Sequence, residues 1–227
     1  IIKEGVFIDC NKASERILDA QRDFIIGKTP QKISPEFQPD GQPSDFLVKN
    51  VIEQAFKKKR HQFEWAHLKP NGELVYVDVI LSPMVTGRDQ FLFISWRDIT
   101  AQKQAQILIK KLQSAVEKSP LSIFITDSEG TIEYVNPHTI VTTGFTYDDL
   151  LGANPRILKS GFTNPKVYEE LWATIKNGNI WKGILNNRRK NGSLYWESTT
   201  ITPILNEGGE IINFIAIKED ITERVKI

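Results

Sequence analysis

Few side chains in this sequence are suited to chemistry, and their spacing argues for holding a ligand rather than transforming one. Cysteine occurs once, at Cys10, and histidine three times, at His61, His67 and His138. A single thiol excludes an internal disulfide and a thiolate-rich metal or iron–sulfur site, and it fits a reducing, cytoplasmic setting. Three scattered imidazoles make no nucleophilic triad. No phosphate-binding glycine loop, GxSxG elbow, HExxH, CxxC or dinucleotide fingerprint is present, so neither catalytic nor metal residues are expected. The remaining polar candidates fall on strand-like runs near the C-terminus. Alternation along a strand places Tyr195, Glu197 and Thr199 on one face, and Phe214, Ala216 and Lys218 on one face of the next run. Asn187, whose amide both donates and accepts, lies on the run before them, with Trp181 at its start.

The elements that must position these residues occur twice. Trp96-Arg97-Asp98-Ile99-Thr100 recurs as Lys218-Glu219-Asp220-Ile221-Thr222, Asn71-Gly72 and Pro83 as Asn191-Gly192 and Pro203, and Asn11 and Gly27 as Asn136 and Gly152. The offsets drift between 120 and 125 residues, as expected when one unit is repeated with loops of different length. In the second copy, 121–126 and 131–135 read as short strands around the turn Asp127-Ser128-Glu129-Gly130. Short helical stretches follow over 136–151. The segment 165–176 is amphipathic, with Val167, Leu171 and Ile175 at helical spacing and Pro165 in a first turn. Strands at 181–189, 193–204 and 210–218 close the unit, the first two joined at Lys190-Asn191-Gly192, a turn that needs φ > 0. The first copy matches with a helix over 46–58 and strands at 61–69, 73–85 and 90–97. Its segment 6–9 matches the second strand, so the first strand is expected to be missing. Between the copies, Ala101, Ala105, Leu108, Leu112 and Ala115 follow an a/d heptad pattern, read either as a dimeric coiled coil or as a helix packed on its own domain.

These landmarks resemble PAS domains with their C-terminal PAC motif, twice over and across essentially the whole chain. The carrying residues are Asp-Ile-Thr at 98–100 and 220–222, Tyr134-Val135-Asn136-Pro137, Lys190-Asn191-Gly192 and Pro203. The resemblance implies an α+β fold: two five-stranded antiparallel sheets, each with helices on one face. The expected organisation is a first domain at 1–100, a linker helix at 101–118, a second domain at 119–222 and the start of an exit helix at 223–227. It also implies sensing, homodimerisation through linker and exit helices, and relay to a C-terminal histidine kinase, diguanylate cyclase or chemoreceptor output. The chain opens Ile1-Ile2 without methionine and reads as a fragment lacking that output domain.

The second copy resembles flavin-binding redox and aerotaxis PAS domains over Trp181–Gly192 followed by Tyr195-Trp196, so FAD is the cofactor implied there. Gly152–Leu158 resembles the stretch of blue-light LOV domains that carries a photoreactive cysteine. Pro155 stands at that position, so no thiol adduct is expected. The resemblance turns Asn187 toward the ligand. Asn154 and Arg156 either line the entrance or cap local turns, and Trp181 either stacks on the cofactor or packs beneath the preceding helix with Trp172. LOV domains carry amides where this chain has Glu197 and Lys218. Buried charges must pair, so an ion pair is expected at the pocket wall, with an exposed cross-strand pair as the alternative. Thr199 and the small Ala216 complete the wall. The equivalent positions in the first copy are His67, Val77 and Trp96. Those residues plug the first pocket or make it apolar, and no cofactor is expected there.

Partner classes follow from charge. Twenty-nine Lys and Arg against 28 Asp and Glu create no global field toward nucleic acid or anionic membrane. The basic run Lys57-Lys58-Lys59-Arg60 reads as a solvated helix end that complements the macrodipole. No apolar run approaches the roughly 20 residues that span a bilayer, so no direct membrane contact is expected within this segment.

Overall fold

A computed structural model describes residues 1–225, in two compact units divided after Ile109. In the first, β1 (Ile2–Lys3) and β2 (Val6–Phe7) precede α1 (Lys12–Leu18), α2 (Arg22–Ile25) and a 3₁₀ turn at Pro30–Ile33. The long α3 (Ser44–Lys58) then leads into β3 (His61–Leu68), β4 (Leu74–Thr86) and β5 (Asp89–Asp98). A linker helix, α4, runs from Thr100 to Glu117. The second unit repeats the order with β6 (Ser122–Asp127), β7 (Ile132–Val135), α5 (Pro137–Thr143), α6 (Tyr147–Leu150) and a 3₁₀ turn at Pro155–Leu158. Then come α7 (Pro165–Lys176), β8 (Trp181–Arg188), β9 (Leu194–Leu205), β10 (Ile211–Asp220) and α8 (Thr222–Val225). Each sheet has five antiparallel strands, ordered β2-β1-β5-β4-β3 and β7-β6-β10-β9-β8. The first strand expected to be missing is thus present: Ile2 and Lys3 pair with both Val6–Phe7 and Phe91–Leu92. Its two-residue length is what hid it, since a strand pattern needs about four residues to show. The last two residues of the expected exit helix, 226–227, lie outside the described residues.

Local chemistry accounts for the boundaries. Asn11 caps α1 and Asn136 caps α5, each side chain accepting from a backbone N–H three residues on, with Pro137 placed where its missing N–H costs nothing. Thr146 and Asp149 form a reciprocal capping box on α6. The β8–β9 hairpin turns at Gly192, whose φ of 89° a side chain would strain. The repeated Asp-Ile-Thr does the same work in both units. Thr100 N donates to the Asp98 carboxylate, and the Ile99 and Thr100 groups bond to Tyr76; Thr222 N, Ile221 and Thr222 Oγ1 repeat this against Asp220 and Trp196. The motif therefore pins the end of the last strand to its neighbour and fixes where the following helix starts.

Packing distinguishes the two units. The inner face of the first sheet makes one continuous apolar cluster with Leu18, Ile25, Ile33 and Val48. The second core is split in two, one part around Phe124, Ile132 and Leu150, the other around Leu171, Ile175, Trp181, Leu185 and Phe214. The linker helix buries no residue, and Leu108 and Leu112 are 56% and 58% exposed. That contradicts a stripe packed on its own domain, because such packing would cover these leucines. His138, in α5, is half-buried.

Asn136 and Asn11 separate a core role from a simple cap. Asn136 is fully buried; its amide donates to the carbonyls of Val116 and Leu121 and accepts from the N–H groups of Ile123 and Thr139. The Asn11 side chain, among the described residues, accepts from the N–H and the hydroxyl of Ser14 alone. Asn136→Ala should cost about 3 kcal/mol and Asn11→Ala about 1 kcal/mol in urea denaturation followed domain by domain. Equal losses would reduce Asn136 to a helix cap.

Candidate ligand-binding site

The gap between the two apolar clusters of the second unit is a cavity of about 110 Å³. Strand alternation brings Asn187 from β8 and Ala216 and Lys218 from β10 to its sheet wall, and Phe124 and Thr126 from β6 beside them. The opposite wall is α7, through Tyr168, Leu171 and Trp172. The rim is the segment 154–159, where Arg156 and Lys159 are exposed. Every charged residue lining this space is a cation, and the flat walls are aromatic or aliphatic. Such a site takes a planar, largely apolar group carrying negative charge at one end.

Behind that wall lies a buried ion pair. Lys218 Nζ is 2.8 Å from Glu197 Oε1, with the two side chains 6% and 2% exposed. Adjacent strands enforce it: Lys218 stands opposite Thr199, two residues from Glu197 on the same face. The exposed-pair alternative is therefore excluded. Asn187 Nδ2 (2.9 Å) and Thr199 Oγ1 (3.1 Å) also donate to Oε1, and the Tyr195 hydroxyl donates to Oε2 at 3.2 Å. Burial, then the neighbouring Glu197 charge, push the Tyr195 phenol far above its ordinary value, so it stays a donor. Lys218 Nζ lies 4.7 Å from the Phe124 ring centroid, which gives the ammonium a second favourable neighbour.

The candidates divide by position. Asn154, Asn187, Ala216 and Lys218 line the cavity, whereas Trp181, Glu197 and Thr199 stand outside its lining. Trp181 packs beneath α7 with Leu171 and Ile175, its ring lying over Gly183, where an added Cβ would sit 2.3 Å from it. Asn154 both lines the cavity and caps: its Nδ2 donates to Gly130 O, and its Oδ1 accepts from Arg156 N and Nε. Not expected in the wall from the sequence were Tyr168 and Lys159, whose ammonium sits 3.7 Å over the Tyr168 ring, and Trp172, expected only as a packing partner of Trp181. Tyr168 and Trp172 form an i, i+4 pair beside the stripe of 167, 171 and 175. That pair spacing was the signal available for them.

The same location in the first unit holds His67, Val77 and Trp96. His67 Nδ1 lies 3.1 Å from Ile33 O and 3.4 Å from Ser34 Oγ, and its ring is 4.6 Å from that of Trp96. Burial pushes its pKa down to about 4, against the pull of the Ile33 carbonyl. It is a hydrogen-bonded core histidine. Among the described residues, no three metal-ligating side chains gather, and no helix is long and apolar enough to cross a membrane.

The sequence model of the PAS domain family matches residues 1–101 and again 120–223. The chain belongs to the PAS family. Over a stretch of 107 residues it is similar to the nitrogen fixation regulatory protein of Klebsiella oxytoca, 38% identical; the stretch covers 47% of this chain and 22% of that protein. It is also similar to the aerotaxis receptor of Escherichia coli (strain K12), 30% identical over 98 residues, 43% of this chain and 19% of the receptor. The chain thus spans about a fifth of the length of these relatives. The structure of an RNA-binding light-oxygen-voltage receptor aligns over 93% of this chain and 91% of that one, at 13% identity and a TM-score of 0.51. That likeness speaks to the fold alone.

Two outcomes follow from these PAS cores. Lys218→Met, which strands a buried carboxylate, should cost about 3–5 kcal/mol, while Glu197→Gln with Lys218→Gln together should cost less than the single change. Urea denaturation of the three proteins ranks them, and the reverse order would deny the pair its electrostatic role. For His67, an unfolded chain titrating near 6.5 binds a proton between pH 6.5 and 4 that the folded domain refuses. Stability of the first domain should therefore fall on acidification through that window, by up to about 1.4 kcal/mol per pH unit. His67→Gln should flatten the profile.

Proposed function

We infer that this tandem PAS chain is the sensory input module of a bacterial signalling protein, and that its second domain responds to redox state or oxygen through bound FAD. The observation that carries the reading is the cavity itself: a flat-walled space with an amide and an ammonium at its sheet wall and cations at its rim, at a place where the first domain has Trp96 instead of Lys218. The residues fit the group. Ala216 leaves the sheet wall open to a flat ring, Asn187 offers it an amide, and Arg156 and Lys159 suit a phosphate-bearing tail. When bound, a flavin supplies reversible electron transfer coupled to proton uptake. A nitrogen fixation regulator and an aerotaxis receptor among the relatives accord with this reading.

The chain's own part is to bind and transmit. Strand β10 runs from Phe214, Ala216 and Lys218 at the cavity to Asp220 at its end. Burial alone would raise the Asp220 pKa, but hydrogen bonds from Thr222 and Arg189 outweigh it and hold this carboxylate below its usual value. Its ties to Arg189 (2.5 Å) and Thr222 N (3.0 Å) join pocket strand, hairpin and the start of α8. A change in hydrogen bonding at Asn187 or Lys218 thereby reaches the exit. In this reading the chain catalyses nothing itself, pairs with a second copy through its exposed linker stripe, and drives an output domain of the parent protein from the cytoplasm.

A ligand-free relay is the second reading, favoured by one contact: Asn187 Nδ2 is already satisfied by Glu197. Visible absorbance separates the two. Purified protein supplied with FAD should be yellow and retain the colour through desalting. Ala216→Phe should abolish uptake with the fold intact by circular dichroism, and Asn187→Ala should weaken it about tenfold. A colourless protein that takes up no added FAD overturns the flavin and leaves the relay.

A further inference from the structure

Charge is spread unevenly over a chain whose total nearly balances. Lys57, Lys58, Lys59 and Arg60 end α3 and lead into β3, and all of them are exposed. Among the described residues none of these forms an ion pair, and neither does the exposed Arg88 at the tip of the β4–β5 hairpin. The crowding is felt nearby, where burial first and then Lys58 push the His61 pKa down. A helix end explains part of this run. The macrodipole acts within the last turn, which takes in Lys57 and Lys58 but neither Arg60 nor Arg88. Nor does the fold need the charge. His61 and Trp181 open matching strands of the two units, and before Trp181 stand Asn177-Gly178-Asn179-Ile180. The matching β9–β10 hairpin carries Glu207 and Glu210. The same end of the repeated unit is basic in the first copy and neutral to acidic in the second.

At this end lies an open groove of about 400 Å³, lined by Ile52 and Phe56 of α3, Lys3 and Glu4 at the β1–β2 turn, and Arg88 and Phe91 of the hairpin. It belongs to the surface rather than the core. Phe56 is 38% exposed, and alternation turns Phe91 to the sheet face opposite the buried Leu92. Lys3 lies 3.0 Å from the Asp89 carboxylate and 5.4 Å from the Phe91 ring centroid, so Asp89 is neutralised where it meets the groove. Glu4 is the one lining carboxylate without an ion pair among the described residues. The basic run follows Phe56 directly, and Arg88 stands across from it. An apolar trough therefore has positive charge on two sides. A flat anionic surface would meet the cations and leave the trough empty, whereas a polypeptide can fill both.

We propose that this end of the first PAS domain docks an acidic segment of a partner protein, seated by one large apolar side chain in the groove and by carboxylates on either side of it. The docking is independent of whatever occupies the second domain. Charge pairs at an exposed rim are screened by salt and steer the encounter, while the apolar side chain sets the register. The probe is a fluorescently labelled peptide with a single leucine between two runs of glutamate. Titrated with the whole chain and followed by anisotropy, it should bind saturably, on the order of 10 μM at low salt. Binding should weaken about tenfold between roughly 50 and 300 mM salt. Amide resonances should shift at Phe56, Lys58, Arg88 and Phe91. Lys58→Gln, Lys59→Asn and Arg60→Gln together should weaken binding about tenfold, as should Arg88→Glu, with circular dichroism unchanged because these side chains are exposed. A peptide with glycine in place of the leucine should bind about tenfold more weakly. Absence of saturable binding, equal binding of the glycine peptide, shifts centred in the second unit, or a preference for phosphatidylserine vesicles or RNA over the peptide overturns the proposal.

Discussion

Two charges taken out of water cost several kcal/mol each unless their surroundings replace the lost hydration, and the second domain is organised around doing so for Glu197 and Lys218. Each Glu197 oxygen is engaged: Lys218, Asn187 and Thr199 at Oε1, Tyr195 at Oε2. Because these polar groups occupy the centre of the sheet's inner face, apolar side chains cannot close over it as one cluster. They divide into two, and the cavity is the space between. Pocket and ion pair are consequences of the same substitution of polar for apolar residues at the sheet centre.

The first domain is the internal comparison. With the same strand order and hairpin register, it places Val77 and Trp96 where the charges stand, and its core closes into a single cluster. What remains is a small apolar space beside a neutral imidazole. Two copies of one PAS backbone thus carry opposite pocket chemistries, decided by three side-chain positions.

Transmission depends on the ends of the repeated unit more than on its pocket. Asp-Ile-Thr ties the last strand to its neighbour in both units, so a shift in β10 is felt at α8. At the other end, Asn136 holds the Val116 carbonyl of the linker helix against β6 and α5. The exposed Leu108 and Leu112 give that helix an apolar stripe. Pocket strand, capped helix and linker therefore form one chain of hydrogen-bonded contacts within the second unit.

Repetition and local rules made the architecture legible in the sequence. The doubled Asp-Ile-Thr, the turn glycines Gly72 and Gly192, and the 3.6-residue stripe of α7 are short-range signals, and strand alternation on neighbouring runs was enough to bring Glu197 to Lys218. Only the tertiary structure decided what faces what across the cavity. Tyr168, Trp172 and Lys159 become a wall because α7 and the segment before it fold over the sheet. Trp181 belongs to the core because its ring lies over Gly183 beneath that helix. The buried role of Asn136 depends on Val116, Leu121 and Ile123 arriving together, and the two-residue β1 is held between Val6–Phe7 and the distant Phe91–Leu92. Periodicity records which face of an element a residue occupies, while the partner across the gap is set by how elements far apart in the chain pack.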